Sequence, residues 1–370
     1  MTARLHAILA RHKAVDVLPG ALTDFTLAPP GDADPMIAAQ RPWALYCLDF
    51  ERGEAMFVEL PDGVDLADAP FSGVTMFRLA ARALIVPLDA LEAIAARAAR
   101  PETLAVIYSM GRCGSTLLNA LLNASPPVWA LSEPAPFDAI QDAIATLGPE
   151  RAEEMLRLTA KLLYRPPPGR GASIFAVKLR SQSLFGADLI RRVFPAARNV
   201  FLYRDGLGWA DSRWRTGQRF ARAFGEHGDA GAQIVLRLLR ESNTRTLRDV
   251  FGLDPEDPGV GGALAASWAL HLERFEALRA DGMVVFPLRY DDLRPDPDSP
   301  LARLFDHIGA PAPSLEALEA VLARDSQIGT SLGRDAPAEA FDEGQRRAFL
   351  ETLARHPLYG SPDWRAPERA

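Results

Sequence analysis

The chain has 370 residues, 48% hydrophobic and 24% charged, which suits one large or two modest domains with an ordinary core. Its net charge of −7 removes any general electrostatic attraction to nucleic acid or an anionic membrane. The 41 basic residues include only three lysines, Lys13, Lys161 and Lys178, leaving ample arginine for local bidentate recognition of phosphate or sulfate. Two cysteines, Cys47 and Cys113, are too few for a disulfide framework or a cysteine-built zinc site.

The N-terminal stretch MTARLHAILARHKAVDVLPG has a short apolar patch broken by His12 and Lys13, without a signal-peptide core or cleavage site. No run reaches the roughly 18–20 apolar residues needed to span a bilayer. The expectation is a soluble, cytoplasmic protein. WALYCLDF and EAMFVEL alternate as β-strands, with a hairpin turn at Arg52–Gly53. FSGVTMFRLAARALIVPL mixes a helix with a short strand, and DALEAIAARAAR predicts a helix capped by Asp89. Residues 1–100 therefore read as a small α+β region, and they carry no catalytic motif.

From about residue 101 strands and helices alternate. TLAVIYS is a buried strand, STLLNALLN a helix and VWALSE an extended segment. Two helices are expected over 135–164, ended by RPPPGRG; then come strand SIFAVKLR, helix SLFGADLIRRVF and strand RNVFLYR. A helix begins near Gly208. Long helices are expected at about 230–250 and 263–280, around the loop DPEDPGVGG. MVVFPLRY is a further strand, followed by helices near 300–308, 314–323 and 341–354. The pattern predicts an α/β domain over 101–370, with a doubly wound, mostly parallel sheet flanked by helices.

The segment YSMGRCGSTLL, residues 108–118, joins a strand to a helix through a glycine-bearing turn. Such a turn aims backbone N–H groups and a helix dipole at one point beyond the strand ends. Gly111 and Gly114 let an anion approach the backbone, Ser115 and Thr116 supply hydroxyls, and Arg112 supplies charge. The same spacing also serves a tight turn in which the glycines act on geometry alone. The lysine of a Walker loop is absent before Ser115, which disfavours a standard ATPase or GTPase.

FLYRDGLGWADSRW, residues 201–214, repeats the logic. Arg204 ends an apolar strand, and Ser212 lies eight residues later on the first turns of a helix, so the two can clamp one phosphate. The alternative is an Arg204–Asp205 ion pair beside an exposed Ser212. Two anion sites on neighbouring strand ends suit a nucleotide with phosphates at both ends of its ribose. 3′-Phosphoadenosine 5′-phosphosulfate (PAPS) is such a nucleotide, and ATP is not.

With these motifs together, the sequence resembles the P-loop PAPS-dependent sulfotransferases, in particular the bacterial, carbohydrate and tyrosylprotein types with a glutamate base. Arg112-Cys113-Gly114-Ser115-Thr116 matches the family loop [KR]-x-G-[ST]-T. FLYRDGLGWADS matches the apolar strand, R-D-P and a later serine, with Gly206 where the proline is usual. FAVKLRSQSLFGADLIRRVFPAARNVFLYRD and PLRYDDLRPDP…LARLFDHIGAPAP match two further segments in order, with Leu179–Arg180 where Thr–Pro is common. The resemblance covers about residues 103–325.

The resemblance implies a sulfuryl transfer from PAPS to a hydroxyl acceptor, without a metal. It implies that Gly111, Arg112, Cys113, Gly114, Ser115 and Thr116 cradle the 5′-phosphosulfate while Arg204 and Ser212 hold the 3′-phosphate. Glu133, in LSEPAPF about twenty residues past the loop, takes the place of the family's glutamate base. An unperturbed glutamate, with a pKa of about 4.3, is a weak base, so this role calls for partial burial. Glu133 also reads as a helix N-terminal charge beside Pro134. Lys178 ends the strand FAVK, where relatives send a lysine to the sulfuryl group or acceptor; otherwise it is a snorkelling surface lysine. Cys113 is not expected as a nucleophile. His227 reads as a solvated loop residue, and Asp291 and Asp292 as capping and ion-pairing groups. Trp209, Trp214 and Phe220 suit an acceptor pocket or plain packing, and Arg334, in SQIGTSLGRD, is in reach of a nucleotide only if the register allows. The acceptor is open among small molecules such as phenols, carbohydrates, lipids and peptides. The competing readings are an atypical ATP-dependent P-loop kinase and an inactive nucleotide-binding module of the same fold.

Overall fold

The computed structural model describes residues 2–13, 15–223, 246–293, 297–323 and 339–367. The N-terminal region holds strands β1 (Ala3–Arg11), β2 (Phe25–Leu27), β3 (Gly31–Ala33), β4 (Trp43–Asp49) and β5 (Glu54–Glu59), then helix α1 (Ser72–Leu79), strand β6 (Arg82–Pro87) and helix α2 (Leu91–Ala96). There follow β7 (Thr103–Ser109), α3 (Ser115–Asn123), β8 (Val128–Ser132), α4 (Ala135–Asp142), α5 (Ile144–Leu147), α6 (Pro149–Leu163), β9 (Ile174–Lys178), α7 (Ala187–Val193), β10 (Arg198–Tyr203) and α8 (Gly206–Ala223). The remainder is α9 (Gly259–Ala280), β11 (Val285–Arg289), α10 (Asp298–Ile308), α11 (Leu315–Leu322) and α12 (Glu343–Leu353).

The chain divides into two compact units, one of residues 1–107, 116–199 and 305–330, the other of 108–115, 200–304 and 331–370. In the first unit an antiparallel sheet has the order β2-β1-β6-β5-β4, with β3 also on β1. Asp49 and Gly53 make the β4–β5 turn: the Asp49 carboxylate accepts the Arg52 N–H at 2.9 Å, and Gly53 adopts φ 70°. β4 is buried over most of its length and packs against α4. The same unit holds the parallel order β7-β9-β8, whose register pairs Lys178 with both Ile107 and Ser132. In the second unit the order is β11-β10-β7, through the end of β7, and α9 packs against α12. The fold is thus α/β, with a parallel sheet flanked by helices.

The opening patch is strand β1, which pairs on one side with β6 and on the other with two short segments. Two local expectations are corrected. Asp89 does not cap α2. It lies within a 3₁₀ turn, Leu88–Ala90, set by Pro87, and the helix starts after Ala90 without a side-chain cap. Residues 135–163 make three helices: the chain breaks at Ala143, φ −89° and ψ 1°, between α4 and α5, and again at Gly148, φ 75° and followed by Pro149, before α6. Of the helix expected at 230–250 only Thr246–Val250 is described, as a π-helical turn. Among the described residues no helix is long and apolar enough to cross a membrane.

Candidate active site

The loop after β7 is built on left-handed backbone. Gly111, Arg112 and Gly114 take φ of 70°, 54° and 82°. For arginine that conformation costs roughly 1–3 kcal/mol and persists only where its surroundings enforce it. The enforcing contacts lie in the second unit. Trp209 Nε1 of α8 donates to the carbonyls of Met110 and Gly111 at 3.2 and 2.9 Å. Met110 N–H and the Cys113 thiol both donate to the Leu202 carbonyl of β10, at 3.4 and 3.3 Å. Cys113 is fully buried, so its role here is to pin the loop. Ser115 and Thr116, each 6% exposed, begin α3.

Arg112 Nε donates to Ser212 Oγ at 3.2 Å, so the side chains of the two anion motifs meet. Arg204 stands just before the same helix. Its Nε lies 3.5 Å from Asp205 Oδ2 and 3.9 Å from Asp291 Oδ1, yet this buried N–H has no aligned acceptor among the described residues. Asp205 Oδ1 accepts the Gly208 N–H at 2.7 Å and caps α8, while Asp291 Oδ2 accepts the Asp205 N–H at 2.8 Å. Burial, reinforced by the Asp205 carboxylate, raises the Asp291 carboxyl above its usual range. Tyr290 completes this group. The Arg204 guanidinium lies 5.1 Å from its ring centroid, and a Cβ on Gly114 would meet that ring at 2.3 Å. Asp292 points elsewhere, to Arg365 at 2.9 Å.

The first unit holds the other two candidates. Because Ser132 and Lys178 pair across neighbouring parallel strands, Glu133 emerges beside the end of β9, and its N–H donates to the Lys178 carbonyl at 2.7 Å. Glu133 adopts φ 51° and precedes Pro134, the N-cap of α4. Its Oε1 accepts from Lys178 Nζ, and its side chain is 19% exposed. Lys178 is not a surface lysine. Its side chain is 3% exposed and its Nζ lies 5.4 Å from the Phe71 ring centroid. Asp138, 4% exposed, sits close by; burial raises its carboxyl to about 6, against the opposing effects of Arg180 and the Ser183 hydroxyl.

Trp209 and Trp214 are buried side chains, 0% and 3% exposed. His227, Arg334 and the Phe220 side chain lie outside the described residues. Among those that are described, no group of three or more His, Cys, Asp or Glu side chains could hold a metal ion. Sequence reasoning passed over Tyr290 and the loop-holding part of Trp209. It also treated Gly206 as a matter of turn stiffness, whereas the Gly206 N–H donates to the Pro362 carbonyl at 2.8 Å, a bond proline cannot make.

No protein-family model matches the sequence. No curated protein matches it either. Among solved structures, a sulfotransferase from Alicyclobacillus acidocaldarius aligns at 14% identity and a TM-score of 0.39, over 70% of this chain and 94% of that one. A sulfotransferase from Mycobacterium avium aligns at 13% and 0.40, over 73% and 79%. Retinol dehydratase, solved with androsterone and the inactive cofactor PAP, aligns at 14% and 0.35, over 88% and 98%.

Proposed function

We propose that the chain is a cytoplasmic PAPS-dependent sulfotransferase acting on a hydroxyl acceptor of a small molecule, carbohydrate or lipid. The observation that carries this reading is the Arg112–Ser212 contact. It brings side chains of the loop motif and the strand-end motif together, which supports two neighbouring phosphate subsites for a nucleotide phosphorylated at both ends of its ribose. The donor set fits such a ligand: two arginines, hydroxyls, left-handed backbone, and a buried Arg204 N–H with no aligned acceptor among the described residues. Asp205 and Asp291 beside Arg204 are long contacts that a phosphate would compete with.

In this reading residues 1–100 form an accessory α+β region and 101–370 the catalytic domain. Arg204 and Ser212 hold the 3′-phosphate, and Gly111–Thr116 cradle the 5′-phosphosulfate. The co-substrate supplies the sulfuryl group. The acceptor oxygen attacks its sulfur in line, the S–O bond to the 5′-phosphate breaks, and Glu133 takes the acceptor's proton. Arg112 and Lys178 stabilise charge on the transferring group and the leaving phosphate. The Glu133–Lys178 pair supports these assignments, because it joins a candidate base to a buried cation at neighbouring strand ends.

Calorimetry with adenosine 3′,5′-bisphosphate, ADP and ATP, on wild type and Arg204→Ala, tests the reading. A preference for the bisphosphate, lost in the variant, is expected. Binding of ATP with indifference to the 3′-phosphate would favour the kinase instead. A folded protein that binds none of the three would be neither enzyme.

A further inference from the structure

Arg180 stands two residues past the strand-end Lys178, where the resemblance leads to Thr–Pro. It is largely buried, and its guanidinium serves three groups. Nε lies 3.1 Å from Asp138 Oδ2 and 3.5 Å from Glu133 Oε2, while Nη2 donates to the Val17 carbonyl. Neither carboxylate is aligned with the Nε–H, so both contacts act through charge. Asp138 is itself fixed, since its Oδ1 accepts the Ser183 hydroxyl at 2.9 Å. The two oxygens of Glu133 therefore face different cations, Oε1 toward Lys178 and Oε2 toward Arg180.

We propose that Arg180 is the positioning residue of Glu133: anchored by Asp138 and by the Val17 carbonyl of the N-terminal region, it fixes the direction of Oε2. This rests on Glu133 being the base of the proposed reaction. A carboxylate held through one oxygen turns about its last bond, and attraction of the other oxygen to a fixed cation biases that turn. An undivided cation beside a base would also hold it in the charged form and weaken it. Here Asp138 shares the charge of Arg180, so the undivided cation on Glu133 is Lys178 at Oε1. Among the described residues, the further charged groups acting on this trio include Lys178, Asp142 on α4, and Lys13, which is paired with Asp24 at 3.0 Å. The anchor at Val17 gives the region before residue 100 a part in the catalytic centre.

Carbon-13 titration of the Asp138 carboxyl, assigned through Asp138→Asn, tests the clamp without any turnover. The midpoint is expected near 6 in the wild type, lower in Glu133→Gln and higher in Arg180→Gln, because the Glu133 charge raises it and the Arg180 charge lowers it. A midpoint that Glu133→Gln leaves unmoved overturns the proposal, and this arm stands even where Arg180→Gln does not fold. In turnover, Arg180→Gln should lower kcat on the order of 10- to 100-fold with the KM for PAPS unchanged, and Arg180→Lys should restore part of it. An active wild type with an equally active Arg180→Gln refutes the positioning role. An inactive wild type refutes the reaction instead, and the titration still decides the clamp.

Discussion

Arg112 and Ser212 share a hydrogen bond of 3.2 Å although 100 residues separate them in the chain. Two strand ends and the helices that follow them are needed to make that contact, and either side chain alone is an ordinary polar group. Ser212→Ala should weaken adenosine 3′,5′-bisphosphate by about 1.5–3 kcal/mol, the range for a hydrogen bond to a charged group, and ADP by less, through the lost Arg112 contact alone. Calorimetry on both ligands checks this. Equal losses for the two would show that Ser212 does not read the 3′ end.

Gly114 carries two constraints at once. Its φ of 82° disfavours any side chain, and a Cβ would come within 2.3 Å of the Tyr290 ring. Gly114→Ala should cost about 1–3 kcal/mol of stability from backbone strain, and more from the ring contact. Adding Tyr290→Ala relieves the ring contact and leaves the strain, so the double variant should recover part of the melting temperature. No recovery would mean that the ring moves aside freely.

The strands and helices of the parallel sheet were legible because TLAVIYS, FAVK and NVFLY are short, buried, apolar runs bounded by turn residues. Arg112, Arg204 and Ser212 could be singled out for the same reason, since each follows such a run at a fixed distance, whereas Glu133 was reached only through the family resemblance. What holds them was not legible. Trp209 reaches Gly111 across 98 residues, Arg180 reaches Val17 across 163, and Tyr290 closes on Gly114 from the end of the last strand. These contacts depend on strand order and register, which periodicity does not encode.

Asp138 should leave a mark on stability against pH. Burial raises its carboxyl from 3.8 to about 6. Between about 4 and 6 the folded chain thus keeps a proton that the unfolded chain has released. Its contribution is fully present below about 4 and is lost as the pH rises through 6, by about 3 kcal/mol for a shift of about two units. Denaturant unfolding of wild type and Asp138→Asn at pH 4 and 7 should show the difference moving against the wild type by that amount. A difference independent of pH would remove the buried titration.

Gly206 stands where the resemblance leads to proline, and its N–H is committed to Pro362 at 2.8 Å. A Cβ there would lie 3.2 Å from Phe349 and Pro362. Gly206→Pro deletes the donor and crowds both neighbours, so a loss of about 1–3 kcal/mol is expected from the unpaired Pro362 carbonyl, if it stays buried, together with the overpacking. Amide exchange should then quicken over residues 360–367. Gly206→Ala keeps the N–H and should show the milder effect. If the two substitutions behave alike, the hydrogen bond is not what fixes this segment.

Trp209→Phe separates packing from loop support. The ring is fully buried and phenylalanine fills most of its volume, but the indole N–H that serves the carbonyls of Met110 and Gly111 disappears. Those two residues lead directly into Arg112, whose left-handed backbone returns to ordinary regions once its surroundings release it. A stability loss of about 1–3 kcal/mol is expected from the acceptors left unpaired. With the strained loop as the proposed anion cradle, nucleotide affinity should fall along with stability, and it should fall for ADP as much as for the bisphosphate, unlike the effect of Ser212→Ala. A variant that is destabilised yet binds both nucleotides at wild-type strength would show that the cradle holds its shape without Trp209, and that Cys113 and Met110 on Leu202 suffice.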